Sequence, residues 1–297
     1  MSGNGTILSN LQNMLAIFPS STLSSMPIEE QKKWETEANY AAKNNTPYFY
    51  PVLNTNEQVL FYEGLGNSKD KDGIPLKNNL LFQFLYKCLS PEKVDLDICD
   101  KYLEHAIQQD CLPVSINVAL SSTLNPSFCT KVSKLAQKYS LDPKEHIYLE
   151  ILEGPIPDDA KIENLQNLVD AGFNIALDDL NYDKDGLDSI KTLGPYANVF
   201  KLDKKTVRGF LEQVKSGSLS QKELENTDLI KLLDYLNEHI GINDDIKIIA
   251  EHVHDYEELT ILAKYGIDGF QGEYANKKAP ATGLDSLENR FLTCEYE

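Results

Sequence analysis

The chain has 297 residues, with 46 acidic and 28 basic side chains and a formal net charge of −18. A surface this acidic repels a polyanion over most of its area, which argues against a DNA or RNA duplex as partner but not against a small anion in a metal-lined or locally cationic cleft. Hydrophobic residues at 41% and charged residues at 25% make a globular composition, and no apolar window reaches membrane-spanning length. The five cysteines lack a CxxC pair and read as reduced packing residues. The first residues carry no basic stretch ahead of Ile7–Phe18, so a secretory signal is not expected and the protein reads as soluble and cytoplasmic.

In chain order, Ile7–Phe18 has amphipathic helical spacing up to Pro19, and Pro27–Lys43 reads as a charged helix with Ile28, Trp34 and Ala38 at helical spacing. Residues 1–45 therefore read as an N-terminal helical extension, and 46–297 as the main domain. From Thr46 onward, short apolar runs alternate with helical stretches. The runs are Tyr48–Leu53, Val59–Tyr62, Val114–Ala119, Ile147–Leu152, Asn174–Leu177, Val199–Leu202, Ile246–Ala250 and Gly269–Phe270. Only the first two lie close enough for a hairpin. Alternation of this kind implies an α/β fold with a parallel sheet, and eight runs suggest a (β/α)₈ barrel, with an open doubly wound sheet as the other arrangement. Residues 204–245 form a long connection with a Ser220…Glu223 capping box and a helical run at Asp228–His239, and read as a helical insertion.

Nearly every run ends in or contains a polar group. Glu63 ends the hairpin, followed by Asn117, Glu150, the pair Asp178-Asp179, Lys201 with Asp203, Glu251 and Gln271. A carboxylate within a buried strand is costly unless paired or metal-bound, and in a parallel barrel the C-terminal strand ends converge on one face. Carboxylates with an amide oxygen suit a hard divalent cation such as Mg²⁺ or Mn²⁺. Each residue alone is as readily a strand-end cap or ion pair; the ordered set is not.

The motifs Glu63-Gly64-Leu65, Ser115–Ser121 around Asn117, Leu149–Glu153, Ala176–Asp179, Phe200–Asp203, Ala250–His254 and Gln271-Gly272 resemble, in order, those of EAL domains. These are cyclic-di-GMP phosphodiesterases and their inactive relatives. The resemblance covers roughly Thr46 to Thr282 and implies a TIM-like barrel with one antiparallel strand. It implies a first metal site at Glu63, Asn117, Glu150 and Asp178, and a second completed by Asp179 and Glu251. It further assigns Lys201 to activation of the attacking water with Asp203 in support, Glu153 to bracing the loop after the paired aspartates, and Leu65, Asn67 and Gln271 to the substrate. Two Mg²⁺ or Mn²⁺ ions and a homodimer belong to the same implication.

Departures accompany the likeness. Glycine stands at the centre of Glu63-Gly64-Leu65, a change that keeps the carboxylate and loses a methyl group. Asn67 occupies the position of a phosphate-contacting arginine, which removes a bidentate donor. Tyr50-Pro51 replaces Gln-Pro, His254 replaces a glutamate, and Leu180–Gly186 replaces a glycine- and serine-rich loop, so the brace on Asp179 is expected to be weaker. The leading expectation is hydrolysis of cyclic-di-GMP to linear pGpG by a two-metal mechanism. The alternatives are a catalytically weak or inactive cyclic-di-GMP receptor or interaction module, and a barrel hydrolase acting on another phosphodiester.

Other signals carry less. Asn181-x-Asp183-x-Asp185-Gly186 begins like a calcium loop but has Thr192 where the bidentate glutamate belongs, and reads as Asx turns. His252-x-His254 has zinc-like spacing, but strand alternation turns both histidines away from any site that Glu251 faces.

Overall fold

The computed structural model describes residues 27–69, 75–76, 82, 85–151, 156, 160–217, 220–243 and 245–283. The helix expected at Ile7–Phe18, the residue Glu153 and Cys294 lie outside them. Helix α1 (Ile28–Lys43) follows Pro27, whose extended backbone starts the first turn. Ile28, one of the apolar residues at helical spacing, is exposed in that first turn. Lys101 anchors the exit from α1 by donating to the carbonyls of Lys43 and Asn45.

Strands β1 (Thr46–Asn54) and β2 (Val59–Lys69) form the expected antiparallel hairpin, with Tyr50 opposite Glu63. The Asn54 side chain closes its turn by accepting from the backbone N–H of Asn56 and Gln58. A two-residue strand β3 (Pro75–Leu76), not foreseen in the sequence, pairs with the far end of β2. The remaining strands are β4 (Val114–Val118), β5 (Ile147–Ile151), β6 (Asn174–Leu180), β7 (Val199–Leu202), β8 (Lys247–Ala250) and β9 (Gly269–Phe270). Their order is β1-β9-β8-β7-β6-β5-β4-β2, and the β1–β2 pairing closes it into an eight-stranded barrel. The closure rules out the open doubly wound sheet. β1 runs antiparallel to both β2 and β9, while the other barrel pairs are parallel.

The helices around the barrel start where polar residues supply the missing acceptors. Ser90 caps α2 (Pro91–Gln108), Asn125 caps α3 (Pro126–Lys138) and Asp183 caps α4 (Lys184–Leu193). Asp203 caps α5 (Lys204–Lys215), and Asp255 caps α7 (Tyr256–Ala263). Within residues 204–245, α6 (Asp228–His239) follows a short turn that carries both halves of the Ser220…Glu223 capping box. No described helix is long and apolar enough to cross a membrane. Among the described cysteines, Cys88, Cys99 and Cys111 are buried and Cys129 is half-buried.

Two apolar layers position the site. The larger lies between the sheet and the helices, and a smaller one, made of Val52, Phe61, Ala176, Val199 and Ile249, lies inside the barrel. Side chains two apart on a strand share a face. Phe61 therefore carries Glu63 above it, Ala176 carries Asp178, Val199 carries Lys201, and Ile249 carries Glu251. The apolar floor and the charged rim are successive layers of one inward face.

Candidate functional site

Lys201 is fully buried at the centre of the rim. Its Nζ lies 2.7 Å from Glu150, 3.0 Å from Asp178, 3.1 Å from Glu251 and 3.3 Å from Glu63. Glu150 also accepts from Ser115 Oγ at 2.9 Å, and Glu63 accepts from the side-chain amides of Asn117 and Gln271. Asp178, Asp179 and Glu251 each offer a carboxylate oxygen, and these oxygens lie within 4.8 Å of one another. Asp179 reaches this position with φ of 55°, a left-handed backbone that a non-glycine residue adopts at a cost.

The field of this cluster is negative. Burial alone would push the Lys201 ammonium down, but Asp178, Glu150, Glu63 and Glu251 outweigh it and hold its pKa well above the usual lysine value. Burial drives Glu150 well above the carboxylate range, against the pull of Lys201. Burial, opposed by Lys201 and reinforced by Asp178, pushes Glu251 up to about 8. Loss of surrounding water and then Asp178 push Asp179 up to about 6. One ammonium is too little positive charge for this many carboxylates.

The donor set fits a hard divalent cation on structural grounds. The Asn117 Oδ1 is buried without a hydrogen-bond partner, and Asp178 Oδ1 touches Lys201 without accepting a well-directed hydrogen bond. Orphaned oxygens beside clustered carboxylates are the chemistry Mg²⁺ or Mn²⁺ takes. The EAL domain family model matches residues 35–278. The chain belongs to the EAL domain family.

Solved structures share the fold of this EAL domain. The EAL domain protein from Listeria monocytogenes EGD-e superposes with a TM-score of 0.63 at 19% identity, over 84% of this chain and 93% of that one. The Xanthomonas citri FimX EAL domain in complex with c-diGMP gives 0.61 at 15% identity, over 86% and 96%. Klebsiella pneumoniae BlrP1, in a manganese and cy-diGMP complex, gives 0.58 at 19% identity, over 77% and 54%. Among curated proteins the chain has no match.

The glycine in the EAL signature is not a neutral loss of a methyl group. A Cβ on Gly64 would lie 2.7 Å from the ring of Tyr102 and 3.2 Å from the Ser115 carbonyl. Tyr102 is itself buried, with Asn45 donating to its hydroxyl, so the ring cannot step aside freely. The methyl has been exchanged for an aromatic ring of α2 packed on β2.

A cavity of about 1140 Å³ opens beside the EAL rim, lined by Tyr50, Asp179, Asp203, Arg208, His252 and Gly272 among others. Asp203 stands on its wall and spends an oxygen on the Thr206 N–H at 2.8 Å, so its visible work is to cap α5. His252 and His254 both line this cavity, contrary to the alternation argument. The reason is that β8 stops at Ala250 and His252 has φ of 56°, which breaks the two-residue period. Burial first, then Lys204, His254 and Arg208, push His252 down to about 4.

Leu65 packs against Tyr48, Tyr50 and Ala281, and Asn67 pairs with Thr46 at the far end of the hairpin, away from the cavity wall. Gln271 is buried on Glu63, with its Oε1 unpartnered. The loop after Asp179 is better organised than its composition suggests. The Asp183 side chain accepts from the N–H groups of Asp185 and Gly186 at 3.0 Å, an Asx-turn cap rather than a calcium loop. Sequence reasoning missed Ser115, Arg208 and Glu258. For Arg208 a signal existed, because the chain contains only two arginines, Arg208 and Arg290.

Proposed function

We propose that this EAL domain is a metal-dependent phosphodiesterase that opens cyclic-di-GMP to linear pGpG. The observation that supports it best is the convergence of Glu63, Asn117, Glu150, Asp178, Asp179 and Glu251 around one buried lysine at the barrel mouth. Glu63, Asn117, Glu150 and Asp178 would hold one ion, and Asp178, Asp179 and Glu251 a second. Two such ions would supply an acidified water and neutralise charge on the phosphate. The chain's own contribution is positional. Lys201 keeps a protonated ammonium beside the reacting water, where its hydrogen bond counts most in the transition state. Glu251, as an ionised carboxylate at the rim, is placed to accept the water's proton. The oxygen of water would add to phosphorus, the P–O3′ bond would break, and the leaving 3′ oxygen would take up the proton that the water had given to Glu251. Gln271 is held on Glu63 beside the carboxylate rim, while Leu65 and Asn67 do not line the cavity, so neither takes over from the phosphate-contacting arginine.

A second reading, a receptor that binds without turnover, draws on one observation. Lys201 hydrogen-bonds Glu63 and Glu150 and ion-pairs with Asp178 and Glu251, which offsets part of the charge an ion would otherwise neutralise. Incubation of the purified protein with cyclic-di-GMP and Mn²⁺ or Mg²⁺, followed by product separation, tests both. Linear dinucleotide supports the enzyme, while binding without product supports the receptor.

A further inference from the structure

Beyond the metal-site residues, the cavity wall carries a cation that nothing in the hydrolytic site uses. Arg208 is the sole arginine among the described residues. Its Nη1 donates to Glu258 Oε1 at 2.6 Å, and Glu258 is 2% exposed. The same carboxylate accepts from Lys215 Nζ and from the backbone N–H of His254, both at 2.8 Å. Burial would raise Glu258, but these donors outweigh it and hold it below the usual carboxylate value. The guanidinium is thus fixed by one nitrogen while the side chain lines the cavity, and a guanidinium has five N–H donors in a rigid fork. Lys204 and Lys205 stand one turn earlier on the same helix and line the same wall.

We propose that Arg208 binds the phosphodiester of the substrate that is not being cleaved, with Lys204 and Lys205 adding charge and Glu258 acting as a positioning residue. This rests on the reading of the chain as a cyclic-di-GMP protein. The cavity runs from Asp179 and Asp203 to Arg208, so a macrocycle with one phosphate at the paired aspartates presents its remaining anion along this wall. The carboxylates on the wall do not cancel the arginine. Glu273 is paired with Lys277 at 2.8 Å, Asp203 caps a helix, and Asp179 belongs to the cation-seeking cluster. Glu212 is exposed one turn beyond Arg208. A fork pinned in advance binds a phosphate without first ordering its side chain.

The test compares Arg208→Gln, Arg208→Lys and Lys215→Ala with wild type. Cyclic-di-GMP affinity is measured by calorimetry, KM with Mn²⁺ and thermal stability follow, and the affinities are repeated at raised salt. Lys215→Ala removes a partner of Glu258 without touching the cavity, so it reports the structural share. The expectation is that Arg208→Gln weakens affinity by about tenfold or more, as for a lost charge-assisted contact. Arg208→Lys should recover only part of that, and salt dependence should be shallower in Arg208→Gln than in wild type. Lys215→Ala should keep wild-type affinity. An Arg208→Gln affinity within twofold of wild type would overturn the inference, as would an equal loss in Lys215→Ala. A wild type that neither binds nor turns over cyclic-di-GMP would overturn the functional reading itself, and the inference with it.

Discussion

Two ionic clusters near the cavity differ in charge balance. At the barrel mouth one lysine faces four carboxylates, while between α5 and α7 an arginine and a lysine face the buried Glu258, with Asp255 3.9 Å from the lysine. A buried cluster whose charges balance requires nothing more from outside. The first of these is short of positive charge and suits a metal ion, whereas the second balances and leaves the remaining N–H donors of the pinned Arg208 fork to an anionic ligand. The contrast also separates geometry from chemistry. The first cluster is built on strands that share one inward face, and the second on helices that meet only through tertiary packing.

The largest test of the contrast is Lys201→Ala. It should lower turnover by at least about 100-fold, with cyclic-di-GMP affinity within a few-fold of wild type. Without its cation, the metal-free carboxylate cluster should lose about 3 kcal/mol of stability, much of it restored by Mn²⁺. Product assays and thermal melts read both effects, and near wild-type turnover would remove Lys201 from the mechanism. Next, Glu63→Ala and Asp178→Ala should each weaken divalent-metal binding by about tenfold or more, since a shared oxygen site then has too few hard ligands. Circular dichroism should remain native, and unchanged calorimetric affinity in both variants would refute the site.

At the second cluster, Glu258→Ala should cost about 2 kcal/mol in urea unfolding, because Arg208, Lys215 and the His254 N–H lose their acceptor together. Titration with pH is a gentler probe. Asp179 at about 6 and Glu251 at about 8 lie above the ordinary carboxylate values, so the folded, metal-free protein holds protons that the unfolded chain releases. The stability from these two groups is full below the unfolded carboxylate values and is lost as pH rises through about 6 and about 8. Metal affinity should rise over the same window, because binding must displace those protons. Melting curves that stay level across the window, with and without Mn²⁺, would contradict the assignment. The smallest effect belongs to Asp183→Ala. Loss of the α4 cap should cost about 1 kcal/mol and raise the Mn²⁺ concentration for half-maximal rate, as the loop after Asp179 loosens. An unchanged metal requirement would show that this loop does not limit the second site.

Much of the barrel was legible because its signals are local. Apolar runs of strand length, helical patterning between them and side-chain alternation are written within a few residues of each other, and each barrel strand starts within two residues of its run, although β2 and β6 continue past theirs. The polar residues at their ends could be named for the same reason, since Glu63, Asn117, Glu150, Asp178 and Lys201 each lie in a strand. Where alternation broke, the reading broke too. His252 takes a left-handed backbone just past β8, and no pattern in Ala250–His254 announces it.

By itself the sequence determined the barrel strands, the Ser220…Glu223 capping box and the hard-oxygen donor set, because backbone period and side-chain chemistry travel with the residues. Only the tertiary structure decided that Lys201 would meet Glu63 from 138 residues away, and that Arg208 would be pinned by Glu258 from 50 residues away. It also decided that the methyl group missing from Gly64 would make room for Tyr102. Contacts of this kind depend on which faces the closed barrel and its helices bring together, and that is a property of packing rather than of neighbouring residues.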